Sequence, residues 1–103
     1  SLKDIFQTFS FESTKAFKEV ALIKMPGDGR FFIGFITKTF QTKDHREFCN
    51  VFIPTTPNPT SGFLIIAEKD DMIVLDMTPE EAIKYIISLG LTQKHLSWTD
   101  KNS

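Results

Sequence analysis

The sequence has little of what metal-binding, catalytic and nucleic-acid-binding proteins usually require. Its 103 residues include one cysteine, one tryptophan, one tyrosine and two histidines, and the net charge is −1. A single cysteine excludes an intrachain disulfide, and without a Cys/His cluster a zinc site is not expected. The 12 basic residues are interspersed with 13 acidic ones, so no basic stripe is available to neutralise phosphates. We therefore predict no metal, no cofactor and no nucleic acid partner.

Long hydrophobic runs are also missing. No apolar run approaches the roughly 18 residues that a membrane-spanning helix needs, and no signal peptide is visible. The chain begins with Ser1 rather than Met, and we expect it to be a domain excised from a longer protein. Its length predicts a single domain over residues 1–90, followed by a polar tail over residues 91–103.

Phenylalanine is abundant, with 11 residues in the chain. Because its ring is large and has no polar group, we expect most of these side chains in the core. Cys49 lies in an apolar run, which favours a small buried hydrophobic residue over a reactive thiol. His45 and His95 lie in polar stretches, and neither has a local partner for nucleophilic catalysis at Ser61 or Cys49. We predict that the protein is not an enzyme.

The apolar pattern predicts an α+β domain with an antiparallel sheet of about five strands. Pro26–Gly29 is a strong turn signal that predicts a hairpin between the first two strands, and Gly34 indicates a bulge, a bend or a close approach. A barrel-like closure of the sheet stays open as an alternative. The predicted strands are Glu19–Met25, Arg30–Thr39, Phe48–Ile53, Phe63–Ala67 and Met72–Leu75.

Helices are predicted at both ends of the sheet. Leu2–Phe9 has the apolar spacing of a short amphipathic helix. In the C-terminal amphipathic helix Thr78 is the N-cap, Glu81 completes a capping box and Gly90 ends the helix.

The most distinctive stretch is a stiff, polar loop between the third and fourth strands. Its prolines fix φ and remove backbone donors, which limits the entropy lost in holding its polar side chains in one arrangement. We predict a recognition loop here, made of Pro54, Thr55, Thr56, Pro57, Asn58, Pro59, Thr60, Ser61 and Gly62. One alternative is a small-ligand or anion site built from hydroxyl and amide groups of Thr55–Gly62. In the other, the polar side chains satisfy the backbone of the loop itself.

Three stretches carry a resemblance to a known family. They are Val51–Leu64, which reads VFIPTTPNPTSGFL, then Leu75–Thr78 followed by Glu81–Ala82, and Ile86–Gly90. In these stretches the chain resembles the domain-of-unknown-function family of the plant LIKE COV (continuous vascular ring) membrane proteins and their bacterial relatives.

The resemblance implies a location rather than a reaction. Members of that family carry two membrane spans upstream of such a domain, so the resemblance implies attachment to a membrane through a missing N-terminal region. We expect a soluble domain on the cytoplasmic side that acts without catalysis, through contacts with an unknown protein partner or through assembly. The runner-up function is binding of a small ligand or anion by Thr55–Gly62.

Overall fold

The computed structural model describes residues 15–92 and 95–99 of the chain. These residues form five strands, a single 3-10 turn at Lys69–Asp71 and one α-helix, so the predicted α+β class and strand count are confirmed. The predicted N-terminal helix, Leu2–Phe9, lies outside the described residues. The elements are β1 Glu19–Lys24, β2 Phe31–Gln41, β3 Glu47–Pro54, β4 Gly62–Glu68, β5 Met72–Val74 and α1 Pro79–Ile87.

The predicted β1–β2 hairpin is confirmed. The two strands pair antiparallel from Glu19 opposite Ile36 to Lys24 opposite Phe31. In the connecting turn Gly27 has a φ of 98°, a conformation that glycine adopts without the steric cost of a Cβ atom. The turn residues that the sequence supplies therefore match the backbone that the hairpin requires.

The order of the strands across the sheet is β4-β3-β2-β1-β5, which places two consecutive strands, β4 and β5, at opposite edges. The Lys69–Asp71 turn joins these edges, and a chain of that length reaches at most roughly 14 Å. A flat sheet of five strands would hold its outer strands roughly 19 Å apart. The sheet therefore has to coil strongly. It is not closed, because β4 and β5 do not pair with each other, and the barrel-like alternative is not realised.

The coiled sheet encloses a hydrophobic cluster on its inner face. Met72 of β5 belongs to this cluster, and Ile65 of β4 packs against it, so both edges contribute to one core. Gly34 allows the tight curvature, since a Cβ atom there would lie 2.8 Å from Val51 Cγ1 and 2.9 Å from the carbonyl oxygen of Phe52. The buried members are Ala21, Ile23, Ile36, Cys49, Val51, Ile53 and Met72. The close approach predicted at Gly34 is observed, whereas the irregularity in pairing lies between Ile36 and Lys38.

Helix α1 covers the outer face of the sheet. Its start is the predicted capping box, in which Thr78 Oγ1 accepts from the Glu81 amide at 3.1 Å and Glu81 Oε1 accepts from the Thr78 amide at 3.3 Å. The ring of Phe35 is fully buried here and stacks on Phe17 at 4.4 Å between centroids. The buried members of this outer cluster are Val20, Leu22, Phe35, Leu75, Ala82, Ile83 and Ile86. The helix ends at Ile87, three residues before the predicted Gly90, and both Leu89 (φ 59°) and Gly90 (φ 83°) are left-handed.

Candidate functional site

The predicted recognition loop is closed by hydrogen bonds between its two ends. The amide of Thr55 donates to the carbonyl oxygen of Ser61 at 2.8 Å, which continues the β3–β4 ladder by one more step. Thr55 Oγ1 donates to the carbonyl oxygen of Asn58 at 2.6 Å and lies 2.9 Å from Ser61 Oγ. Thr55 therefore ties the start, the middle and the end of the loop together.

Asn58 organises the other half of the loop. Its Oδ1 accepts from the amide of Thr60 at 3.1 Å and from Thr60 Oγ1 at 2.7 Å, which is the geometry of an Asx turn. Pro59 beside it is buried, and the Thr56–Pro57 peptide bond is cis. Hydrogen bonds within the loop thus engage the side chains of Thr55, Asn58, Thr60 and Ser61. This arrangement corresponds to the alternative in which the polar side chains satisfy the backbone of the loop itself. Binding of a ligand or anion at this loop stays a prediction.

The loop borders a small cavity against the end of helix α1. The cavity has a volume of about 210 Å³. Sites for small organic ligands usually measure about 300–1,000 Å³, so the space does not favour such a ligand. Its walls are Ile33, Thr56, Tyr85, Ile86, Leu89 and Gly90.

The strand that leaves the loop exposes large apolar side chains. In β4 the exposed fractions are 64% for Phe63, 70% for Leu64 and 61% for Ile66. We call these three side chains the β4 surface. By their pairing with β3, Leu64 and Ile66 share the face of Phe52, whereas Phe63 lies on the opposite face with Ile53. A sheet edge with apolar residues exposed on both faces is unusual for an isolated domain.

The β4 edge also presents backbone groups that no other described strand pairs. Thr55 and Ser61 form a hydrogen-bonded pair, and such pairs alternate along an antiparallel ladder. Phe63 and Ile65 therefore direct their N–H and C=O groups toward β3, and Leu64 and Ile66 direct theirs away from it. Among the strands of the described residues, β3 alone pairs with β4. The edge can accept another strand through Leu64 and Ile66.

A broad groove of about 880 Å³ adjoins the end of β4. It lies where the two edges of the coiled sheet approach each other, between Ile66–Glu68 and the β1–β2 turn. Apolar side chains such as Phe48 form part of its wall, and Asp70 and Asp71 lie at its margin. Across residues 15–92 and 95–99, no group of three or more His, Cys, Asp or Glu side chains is placed to hold a metal ion.

The other residues singled out in the sequence lie apart from one another. Cys49 is buried with 1% exposure, as predicted, and its Sγ lies 3.4 Å from Thr39 Oγ1. His45 is exposed in the β2–β3 turn, with a φ of 67°. In the same turn the Thr42 hydroxyl donates to the carboxylate of Asp44 and lowers the pKa of that group. Cys49 lies in the middle of β3 and His45 in the turn that precedes this strand, whereas the loop begins where β3 ends.

The β4 surface was missed in the sequence analysis, because the sequence of this strand indicates burial rather than exposure. Gly62–Ala67 is uncharged throughout and does not alternate between apolar and polar residues. A continuous apolar strand predicts burial on both faces, and only the strand order reveals that this strand lies at an edge.

Comparison with known proteins identifies relatives that match most of the chain. Protein LIKE COV 2 of Arabidopsis thaliana is 38% identical over 85 residues, which cover 79% of this chain and 32% of that protein. Protein CONTINUOUS VASCULAR RING 1 of the same plant is 33% identical over 94 residues, covering 87% of this chain and 35% of that protein. Protein LIKE COV 1 is likewise 33% identical over 94 residues, covering 87% of this chain and 36% of that protein. The chain spans about a third of the length of these relatives.

No solved structure matches the chain. In the part of the chain that the structure describes, no helix has the length and apolar character needed to cross a membrane. The model of the family described as "Protein of unknown function (DUF502)" matches residues 1–61, which include the first three strands and most of the proline-rich loop. The suspected family is therefore confirmed, and the chain belongs to this family of unknown function.

Proposed function

We propose that this chain is a protein-contact domain of a membrane protein, and that it makes its contacts through the edge of β4. The observation that carries the proposal is the exposure of Phe63, Leu64 and Ile66 on a strand that, among the described strands, pairs with β3 alone. Proteins usually protect such an edge with charge, proline, a bulge or a covering segment. β4 has none of the first three between Gly62 and Ala67, and its register with β3 is continuous.

Exposed apolar area of this kind carries a free-energy cost that a partner removes. Each square ångström of apolar surface taken from water contributes roughly 25 cal/mol, and backbone hydrogen bonds to an added strand supply direction and register. The β4 surface offers both at once, because Leu64 and Ile66 expose their side chains and direct their backbone groups outward.

The proline-rich loop supports this function by holding the start of β4 in a fixed position. Thr55 bonds to Ser61 immediately before the strand begins, and Asn58 holds Thr60. A fixed loop limits the conformational entropy that β4 would lose on binding. In this proposal the polar side chains of the loop position the contact strand and take part in no chemical step.

The proposal places the domain beside a membrane, held there by a part of the protein outside this chain. Two facts support this placement: the resemblance to the LIKE COV membrane proteins in Val51–Leu64, and the length of the relatives, about three times that of the matched segment. Fractionation of the full-length protein tests it. Recovery in the membrane pellet after an alkaline wash is expected, and recovery in the supernatant contradicts the placement.

The contact function is tested with the full-length protein and two leucine variants. Leu64→Lys adds a charge to the β4 edge at a side chain that is 70% exposed. The control, Leu91→Lys, adds the same charge at a leucine that is 87% exposed and lies outside β4, after helix α1 in the sequence. We expect the wild type and Leu91→Lys to cross-link to the same proteins in cells. Leu64→Lys should no longer cross-link to these proteins. The same set of cross-linked proteins for all three would contradict the proposal.

A further inference from the structure

We propose that the occupant of the β4 edge is the β4 edge of a second copy of this chain, paired antiparallel about a two-fold axis at Ile65. This inference rests on the contact function proposed above and identifies the partner. It predicts a continuous sheet across two copies, with the helices of both copies on the outer face.

The backbone of the edge selects a strand rather than lipid as the occupant. The N–H and C=O groups of Leu64 and Ile66 point away from β3, and in a hydrocarbon environment each would lose its hydrogen bonds at a cost of several kcal/mol. An added strand pairs all of them. The side chains alone would fit a bilayer, but the backbone beside them does not.

The side chains of β4 match a second copy when the two strands cross at Ile65. In that register Leu64 of each copy lies opposite Ile66 of the other, so both exposed side chains gain an apolar neighbour on one face. Ile65 lies opposite itself, and Phe63 lies opposite Ala67. The span Gly62–Ala67 carries no charge, so the pairing places no like charges opposite each other.

The charges at the end of β4 are already paired within each chain. Arg46 contacts Glu68 in an ion pair, and Lys69 Nζ lies 3.5 Å from Glu47 Oε2. In the proposed register Glu68 comes opposite Gly62, which is uncharged and has no side chain to clash with it. An edge that is uncharged from Gly62 to Ala67 is complementary to a copy of itself, and two-fold pairing of the same patch is the commonest form of assembly in soluble homo-oligomers.

The first test is the molecular weight of the chain across a concentration series, by sedimentation velocity. We expect a monomer–dimer equilibrium for the wild type and for Leu91→Lys, and a dissociation constant at least about tenfold weaker for Leu64→Lys. Thermal unfolding is measured alongside, because Leu64 is 70% exposed and its replacement by lysine should leave the fold intact. A wild type that stays monomeric at every concentration, or a Leu64→Lys variant that dimerises as well as the wild type, overturns the inference.

The second test is the register. In an Ile65→Cys variant the two cysteines would lie directly opposite each other, with Cβ atoms about 4.5–5.5 Å apart, close enough for a disulfide after small adjustments. In a Leu64→Cys variant the two cysteines would lie diagonally, about 7–8 Å apart. The native Cys49 is 1% exposed and serves as the background. Faster oxidation to a linked dimer by Ile65→Cys supports the register, and faster linking by Leu64→Cys overturns it.

The two proposals fail in different ways. If the wild-type chain remains monomeric while Leu64→Lys still loses its cross-linked proteins in cells, the edge binds a different protein and the second-copy inference is overturned alone. If the wild type is monomeric and Leu64→Lys loses none of them, the contact function fails with it.

Discussion

The two edges of the sheet, β4 and β5, differ in length, charge and burial. β5 has three residues, and its first side chain, Met72, is only 4% exposed. Two backbone hydrogen bonds hold the chain that follows it in place. The amide of Leu75 donates to the carbonyl oxygen of Val20 at 2.8 Å, and the amide of Asp76 donates to the carbonyl oxygen of Ser97 at 2.7 Å. β4 has seven residues and exposes Leu64 by 70%.

Acidic residues complete the contrast. Asp70 and Asp71 precede β5 and Asp76 follows it, so the short edge is bordered by charge of one sign. Such borders discourage the pairing of a strand from another molecule. Gly62–Ala67 of β4 has no charged residue. Among the described residues, β5 is therefore the better protected of the two edges.

One open edge has a consequence for assembly. Pairing two copies through the same edge about a two-fold axis uses up that edge in both copies, so the assembly stops at two. A domain with two open edges would add copies on both sides and form a fibre. Protection of β5 is therefore what makes an exposed β4 compatible with a discrete complex.

The largest effect is expected from truncating matched apolar side chains on the two edges. Met72→Ala removes a side chain packed in the inner core and should lower the free energy of unfolding by about 2–4 kcal/mol. Leu64→Ala, on the other edge, should change it by less than about 0.5 kcal/mol. Urea denaturation of a dilute, monomeric sample measures both. Equal losses would mean that the β4 surface is part of the core and would remove the contrast between the edges.

An intermediate effect is expected in the loop that carries β4. Thr55→Ala removes the hydroxyl that bonds Asn58 and Ser61, and a lost hydrogen bond of this kind costs about 1 kcal/mol. Thr56→Ala changes the neighbouring exposed threonine and serves as the matched control, with an expected change below about 0.5 kcal/mol. Amide exchange in Phe63 and Ile65 should accelerate in Thr55→Ala only. If Thr56→Ala destabilises as much, the hydrogen bonds of Thr55 do not hold the strand.

Local elements of the fold could be predicted from the sequence because their signals are short in range. Pro26–Gly29 specified the hairpin turn, with glycine where φ is positive. Thr78 and Glu81, three residues apart, specified the start of the helix. Hydrogen bonding within the loop could also be predicted as an alternative, because an Asn two residues before a Thr can form an Asx turn. Asn58 forms such a turn with Thr60.

The order of the strands could not be predicted, because it depends on contacts between distant residues. Lys69–Asp71 looks like an ordinary turn between neighbouring strands, yet it joins the two edges of the coiled sheet. The apolar run Phe63–Ala67 predicts a covered strand, and its exposure follows only from its place beside β3 alone. A continuous apolar strand can be covered on both faces or exposed at an edge, and its own sequence does not distinguish the two. The candidate contact surface therefore could not be predicted.

The smallest effect is expected at the charged end of β4. Arg46 pairs with Glu68 and Lys69 pairs with Glu47, and all four side chains are between 40% and 55% exposed. Pairs so open to solvent contribute about 0.5 kcal/mol or less, and added salt screens them. A double-mutant cycle with Arg46→Ala and Glu68→Gln measures the first pair, and the cycle on Lys69 and Glu47 is its matched control. A coupling above about 2 kcal/mol that resists salt in the first cycle alone would show that this end of β4 is anchored. The open edge would then be held in place by charge as well as by the loop.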